Sequence, residues 1–353
     1  MEVVHIHWSG KPIIGGIEIH LSDLLPELNK NISSTLICGT DTEDFEFQRY
    51  HKGLSIGETL DVNGFLRDNL DLINKANIIH FHNGHVVSPE KTKILFEQFR
   101  GTGKNQVLSI HNFNSSPESE EILNLPFSEI IVYSDFMHNE LKKKYKLDSK
   151  VLPCYIILPS TPAQTNNIRP VVLQPTRFLN WKGSDLSLRA VSELLDEGYD
   201  FDFVHGGYRR LLFGGVEISE KIKYWIDLER IKLDDFSKDE MVNVMSNSDL
   251  ILHPTKGEDH HGEPFGLSCL EAMMMGKKII ASSSGNLPYL LEGYSLGTII
   301  PTNDYPNLKF SLKNFLDSDK RNLSSADKKL ISSWRDYISR GVRKYEELYS
   351  SIR

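Results

Sequence analysis

The sequence predicts an α/β protein built as two doubly wound domains, and three observations carry that expectation: its length, its alternation of apolar runs with helical patterns, and a restart after a polar stretch. At 353 residues the chain exceeds the size at which a single core stops growing, so two domains of roughly 150 to 180 residues are expected. Short apolar runs recur as VVHIHW, STLICG, ANIIHFH, QVLSIH and EIIVYS, with helical spacing in IEIHLSDLLPEL between the first two. Such alternation means βα units around a parallel sheet. A polar, proline-bearing stretch, PSTPAQTNNIRP (159–170), interrupts it, and a second series follows: VVLQPT, a helix from about Lys182 to Leu195, FDFVHG, SKDEMVNVMS, DLILHP, a helix around Leu267 to Met275, and KKIIAS. The boundary is placed at 162, giving domains over 1–162 and 163–333. The segment SSWRDYISRGVRKYEELYSSI keeps helical spacing through Trp334, Ile338, Val342, Tyr345 and Leu348. It predicts a helix over 334–353 that packs back toward the first domain. In doubly wound folds ligands bind beyond the carboxyl ends of the strands, so the expected site is a cleft between two facing domains.

Composition removes several function classes. A net charge of −8 opposes general nucleic-acid binding, which needs a basic face. No apolar run approaches the ~18 residues of a membrane span. The start MEVVHIHWSG carries Glu2 where a signal peptide has a basic region and reads as a first strand, so the expected location is cytoplasmic. Cys38, Cys154 and Cys269 are scattered, form no pairing or metal spacing, and read as packing residues of a reducing compartment. The run Lys142–Lys146 has two readings: a peripheral contact with the inner face of an anionic membrane, or a solvated helix end favoured by the helix dipole.

Two stretches carry chemistry. In HGEPFGLSCLEAMMMGKKIIAS, a Pro264-Phe265-Gly266 turn precedes a helix, so the backbone amides of Phe265, Gly266 and Leu267 are available to an anion such as a diphosphate. Glu263 at the turn and Glu271 two helical turns on would accept hydrogen bonds from sugar and ribose hydroxyls. In QPTRFLNWKG, Arg177 follows a strand and Lys182 opens the next helix. A guanidinium fork and a flexible ammonium together suit a diphosphate leaving group without a metal.

These two stretches resemble the C-terminal signature of glycosyltransferase family 4, retaining enzymes of GT-B architecture. Weaker matches run in order along the chain: Gly15 and Gly16 after the first strand, HFHNGH at 80–85, His111 ending a strand, and VYSDF at 132–136. The resemblance implies that Gly15 and Gly16 let the backbone approach donor phosphates, although a tight strand-to-helix turn explains them equally. It implies that His111 sits beside the donor sugar, against the plainer reading of a satisfied strand-end histidine. Arg177 and Lys182 would hold the departing diphosphate, Glu263 the donor sugar hydroxyls and Glu271 the nucleotide ribose. The chain departs from the pattern in TKGEDHHGEP, where Glu258, Asp259, His260 and His261 would shape the acceptor side. It departs again at Tyr289, which stands where an acidic residue is usual, and in VLPCYI, which lacks an asparagine-glycine turn.

The implied reaction moves a hexosyl unit from a nucleoside diphosphate sugar, a UDP-sugar before a GDP-sugar, to an acceptor hydroxyl with retention. The departing phosphate oxygen would take the acceptor proton, and no metal or other cofactor is expected. Alanine at Arg177 or Lys182 is then expected to cost turnover far more than stability. The acceptor is a sugar, a glycolipid or a small molecule, contacted by loops 40–64 and 112–126, and the setting is cell-surface polysaccharide or glycolipid synthesis. The basic, glycine-rich HGGYRRLLFGG (205–215) is read as a nucleotide contact or a solvated loop. Two other classes stay open: a sugar-nucleotide epimerase of similar fold, and a non-catalytic sugar-nucleotide-binding subunit. A dehydrogenase lacks its G-x-G-x-x-G after the first strand.

Overall fold

The structure is a computed structural model that describes residues 1–42, 44–113, 116–159, 167–207, 216–257, 262–318 and 323–352. The chain divides into two compact units, Met1–Ile157 with Asp336–Arg353, and Leu158–Arg335. The divisions fall at 157 and 335, against the 162 and 333 read from the sequence.

The first unit is a seven-stranded parallel sheet: β1 (Glu2–His7), β2 (Ser33–Cys38), β3 (Gln48–Tyr50), β4 (Ile78–His82), β5 (Asn105–Ser109), β6 (Glu129–Val132) and β7 (Lys150–Val151). The strand order is β3-β2-β1-β4-β5-β6-β7, so the winding reverses between β1 and β4, where such folds open their crevice. Parallel strands covered on both faces read as continuous apolar runs, and Val3, Val4, Ile78, Ile79, Val107 and Leu108 are all fully buried. His5 pairs in register with His80 across β1 and β4. Because side chains alternate along a strand, His5 and His7 share one face of β1, and His80 and His82 share one face of β4. Ser134 starts the helix Asp135–Tyr145 by accepting from the Met137 amide, as an N-cap serine does. Lys142, Lys143 and Lys144 occupy its last turn.

The expected C-terminal helix is two helices, Ser325–Ser339 and Gly341–Ser351, the first of which spans the division between the units. The chain breaks at Arg340, and Gly341 explains why no larger residue follows: a Cβ there would meet the Tyr155 Cβ at 2.8 Å. The second helix belongs to the first unit and packs on the helix Gly16–Leu28. Tyr345 and Tyr349, four residues apart and so on one helix face, are both fully buried.

The second unit is a six-stranded parallel sheet: β8 (Val171–Gln174), β9 (Asp202–Gly206), β10 (Ile231–Asp234), β11 (Leu250–His253), β12 (Lys278–Ser282) and β13 (Gly297–Ile300), ordered β10-β9-β8-β11-β12-β13. Its reversal lies between β8 and β11, the two strands that the chemistry-bearing stretches follow. Phe203, Leu252, Leu194 and Leu308 lie in its core. Burying a side chain of this size stabilises the fold by about 1.5–3 kcal/mol. Among the described residues, no helix is long and apolar enough to cross a membrane.

Candidate active site

The site in the second unit begins where β8 ends. Gln174 donates from Nε2 to the Lys182 carbonyl and to Thr176 Oγ1, both at 3.0 Å, tying the strand end to the 3-10 turn Asn180–Lys182. Gly183 then takes φ +74°, with the Pro254 carbonyl occupying the space a Cβ would need. That turn aims Lys182 inward. Its ammonium contacts Glu263 Oε2 and lies 4.1 Å from the centroid of the Trp181 ring. Both members of the pair are buried, at 8% and 9% exposure.

Glu263 is held by residues that follow β12. Its amide donates to Ser284 Oγ at 3.2 Å and its carbonyl accepts from the Asn286 amide at 2.8 Å, while Asn286 Nδ2 donates to the Phe265 carbonyl at 3.0 Å. The turn is thereby stapled on its far side, and Gly266 opens the helix Leu267–Met274 at φ +88°. Having no side chain, Gly266 cannot cap the helix, so the first-turn amides keep their affinity for an anion. Alanine at 266 would adopt a left-handed backbone and bring its Cβ to 2.8 Å from Leu287 Cδ2. It is expected to destabilise the protein by about 1–3 kcal/mol in urea unfolding.

Burial works on both charges of the pair. Burial first, with the Arg177 charge beside it, holds the Lys182 pKa below its ordinary value against the raising pull of Glu263. It also pushes Glu263 upward, but Lys182 first and then His253 and Arg177 outweigh it, and the carboxyl ends below its ordinary value. The arrangement is a buried ion pair in which each charge depends on the other. The sequence-based expectation that alanine at Lys182 would cost turnover far more than stability meets a second cost here: removing one buried partner strands the other. Arg177, by contrast, is exposed. Glu271 is half-buried on the helix Leu267–Met274. His253 Nε2 lies 3.0 Å from Ser268 Oγ, and burial lowers its pKa to about 4, so it is neutral at pH 7. Tyr289 is exposed.

In the first unit, Gly15 precedes the helix Gly16–Leu28. A Cβ on Gly15 would strike the Glu18 carboxylate, which is itself buried, receives a hydrogen bond from Ser9 Oγ and lies 3.5 Å from His7 Nε2. A side chain at 15 would therefore displace the Glu18 carboxylate from its contacts with Ser9 and His7. His111 follows β5, its amide donating to Asn83 Oδ1 at 3.2 Å. Its Nε2 lies 3.3 Å from the Tyr133 hydroxyl and 3.4 Å from His82 Nδ1. Burial, then the neighbouring histidines, hold its pKa well below the usual value.

His111 borders a cluster that sequence reasoning did not assemble. His5 Nδ1 lies 2.9 Å from His82 Nε2, and the His80 and His82 rings stack at 4.1 Å. Ring nitrogens of His5, His80 and His82 lie within 4.8 Å of one another, close enough to hold a metal ion. Both His80 nitrogens are engaged at 2.7 Å, by the Tyr349 hydroxyl and Ser109 Oγ, so an ion would have to displace one of these bonds. The signal was present as two H-x-H doublets, at 5/7 and 80/82, on strands that prove adjacent. Glu258, Asp259, His260 and His261, and residues 208–215 of the basic glycine-rich segment, lie outside the described residues.

Comparison with known proteins places this geometry. Over 99% of its length the chain superposes on solved glycosyltransferases. It is similar to Anabaena HepE in complex with UDP-glucose, with a TM-score of 0.74, 17% identity and 100% of that chain covered. It is also similar to sucrose-phosphate synthase of Thermosynechococcus elongatus, with a TM-score of 0.73, 15% identity and 99% of that chain covered. Its fold is the GT-B class. Residues 161–329, nearly all of the second unit, match the family of glycosyl transferases group 1. Among curated proteins, the D-inositol 3-phosphate glycosyltransferase of Corynebacterium diphtheriae is 27% identical over 152 residues, which is 40% of this chain and 33% of that protein. The enzyme of the same name from Saccharomonospora viridis is 27% identical over 183 residues, 48% of this chain and 37% of that protein. The chain thus spans about a third of the length of these relatives.

Proposed function

We propose that the protein is a retaining glycosyltransferase that moves a hexosyl unit from a nucleoside diphosphate sugar, a UDP-sugar by preference, to an acceptor hydroxyl. The observation that carries this reading is the buried Lys182–Glu263 pair beside the uncapped helix start at Gly266. A diphosphate supplies the negative charge that Arg177 and the Phe265, Gly266 and Leu267 amides would otherwise lack, and gives Lys182 a second anionic partner beside Glu263. Glu263 then holds donor hydroxyls through its second oxygen, and Glu271 the ribose. As the bond to the sugar breaks, charge grows on the departing phosphate oxygen, where fixed cations and amides stabilise it most. That oxygen takes the acceptor proton, so neither a metal nor a protein nucleophile is needed. Gly15, Gly16 and His111 are assigned donor contacts from the first unit. UDP is favoured because HepE was solved with UDP-glucose.

The acceptor class is a sugar, a glycolipid or a small molecule, in surface polysaccharide or glycolipid synthesis on the cytoplasmic side. Where the acceptor is lipid-linked, Lys142–Lys146 is the run assigned to the membrane.

The test is a thermal-stabilisation panel of UDP, GDP and dTDP sugars, since a ligand at 100 times its Kd adds about 2.7 kcal/mol to the folded state. A UDP-sugar should raise the melting temperature, and turnover should keep the anomeric configuration by proton NMR. If no sugar nucleotide stabilises the chain, the reading fails. Arg177→Ala should lower kcat by about 100-fold or more and leave urea stability within about 0.5 kcal/mol, because the side chain is exposed. An Arg177→Ala protein with full activity would remove the phosphate assignment.

A further inference from the structure

Ring hydrogens in the first unit can be placed by elimination, starting from an atom that only accepts. The Tyr155 carbonyl lies 2.8 Å from His20 Nδ1, so that nitrogen carries the hydrogen. Burial drives the His20 pKa down to about 4, and the neutral ring leaves Nε2 with a bare lone pair. At 3.2 Å the Tyr345 hydroxyl must fill it. Tyr345 has a single hydrogen, now used, so in its 2.8 Å contact with the Tyr133 hydroxyl it accepts and Tyr133 donates. Tyr133 is then left as an acceptor only. Its remaining neighbours are Ser109 Oγ at 3.0 Å, a hydroxyl that can donate to it, and His111 Nε2 at 3.3 Å.

We propose that Tyr133 and Tyr345 are positioning residues that hold His111 in the tautomer with its hydrogen on Nε2 and a bare lone pair on Nδ1. The other neighbour of that nitrogen is compatible with this tautomer. His82 Nδ1, 3.4 Å from His111 Nε2, serves as an acceptor, which puts the His82 hydrogen on Nε2, pointing to His5 Nδ1 at 2.9 Å. The line ends at His5 Nε2, buried without a partner among the described residues. A tautomer is set by the bond the second ring nitrogen makes, and here that bond is dictated, through two phenols, by one backbone carbonyl. Tyr345 comes from the helix Gly341–Ser351, so the last segment of the chain fixes a ring in the middle of the first unit. The consequence for catalysis rests on the proposed function: a bare Nδ1 accepts a hydroxyl hydrogen, the form that suits a polyhydroxyl donor.

The experiment is long-range proton–nitrogen NMR on the full chain labelled at histidine nitrogen, with His111→Asn used to assign the ring. At neutral pH His111 should show the Nε2–H pattern. Tyr345→Phe frees the Tyr133 hydrogen to turn toward His111, and the pattern should shift toward Nδ1–H. Tyr133→Phe removes the acceptor and should give a mixture. Tyr349→Phe, which removes a hydroxyl from His80 instead, should leave His111 unchanged and controls for packing loss in the same helix. With UDP-glucose hydrolysis as readout, Tyr345→Phe should lower kcat about 10-fold at unchanged KM, the signature of a lost transition-state contact. An Nδ1–H pattern in the natural protein, or an unchanged His111 in both Tyr345→Phe and Tyr133→Phe, overturns the proposal. The NMR result stands whether or not any donor is hydrolysed, so a failure of the proposed function is seen separately.

Discussion

Replacing Lys182 with alanine is expected to cost about 3–5 kcal/mol of folding stability in the second unit, together with about 100- to 1,000-fold in kcat. The two losses have one origin. Glu263 sits at 9% exposure, and the ammonium is the largest influence opposing the desolvation that would raise its pKa. Without Lys182 the carboxylate must ionise in a poorly solvated site or take up a proton, and both are costly. The pairing separates the effects. Lys182→Met combined with Glu263→Gln removes both charges at similar volume and should recover most of the stability, as replacing a buried ion pair by neutral groups often does. Turnover should not return, because the diphosphate still lacks its ammonium. The measurement is urea unfolding of the three proteins beside their donor hydrolysis rates. A Lys182→Ala protein as stable as the parent would mean that Glu263 is solvated.

Mild acid is expected to unfold the first unit before the second. Besides the half-buried His51, six histidines there, His5, His20, His80, His82, His85 and His111, have pKa values lowered chiefly by burial, with His5 at about 3 and His20 and His85 at about 4. The second unit has two such histidines among its described residues, His205 at about 3 and His253 at about 4. The folded state favours the neutral ring, so the unfolded chain binds more protons. This stability is fully present above pH 6.5 and is lost as pH falls toward the folded values. At pH 5 a ring with a folded value of about 4, as for His20 and His85, contributes a loss of about 2 kcal/mol. Losses of that size are a large share of the stability of a typical domain, about 5–15 kcal/mol. Urea midpoints read between pH 7.5 and 5 by probes in each unit should fall more steeply in the first unit. A flat first-unit profile would show that these rings are not buried neutral.

Much of the fold was legible because parallel strands are apolar throughout: nine of the runs picked from the sequence became strands at their expected places, from VVHIHW at β1 to KKIIAS at β12. The short edge strands β3, β7, β10 and β13 were not, since Gln-Arg-Tyr or Lys-Val offers no period to read. At the site, Lys182, Glu263 and Gly266 stood out because a glycine turn before a helix, with carboxylates near it and a cation pair after another strand, suits a diphosphate. That Lys182 would be spent on Glu263 was not visible, because the contact joins residues 81 positions apart. The Ser284 and Asn286 staple and the histidine cluster escaped for the same reason. Each H-x-H doublet reads as ordinary alternation until β1 and β4 are known to be neighbours.

The return of the chain into its first unit at Asp336 sets an order of events during synthesis. The pocket that receives Tyr345 and Tyr349 is lined from residues made early, yet the phenols that fill it leave the ribosome only after the whole second unit. At about 5–20 residues per second that is a wait of roughly 10–35 s, during which His20 and His80 face an unfilled hollow. The second unit, with all of its strands contiguous, is complete first, and the earliest-made half of the protein is the last to close.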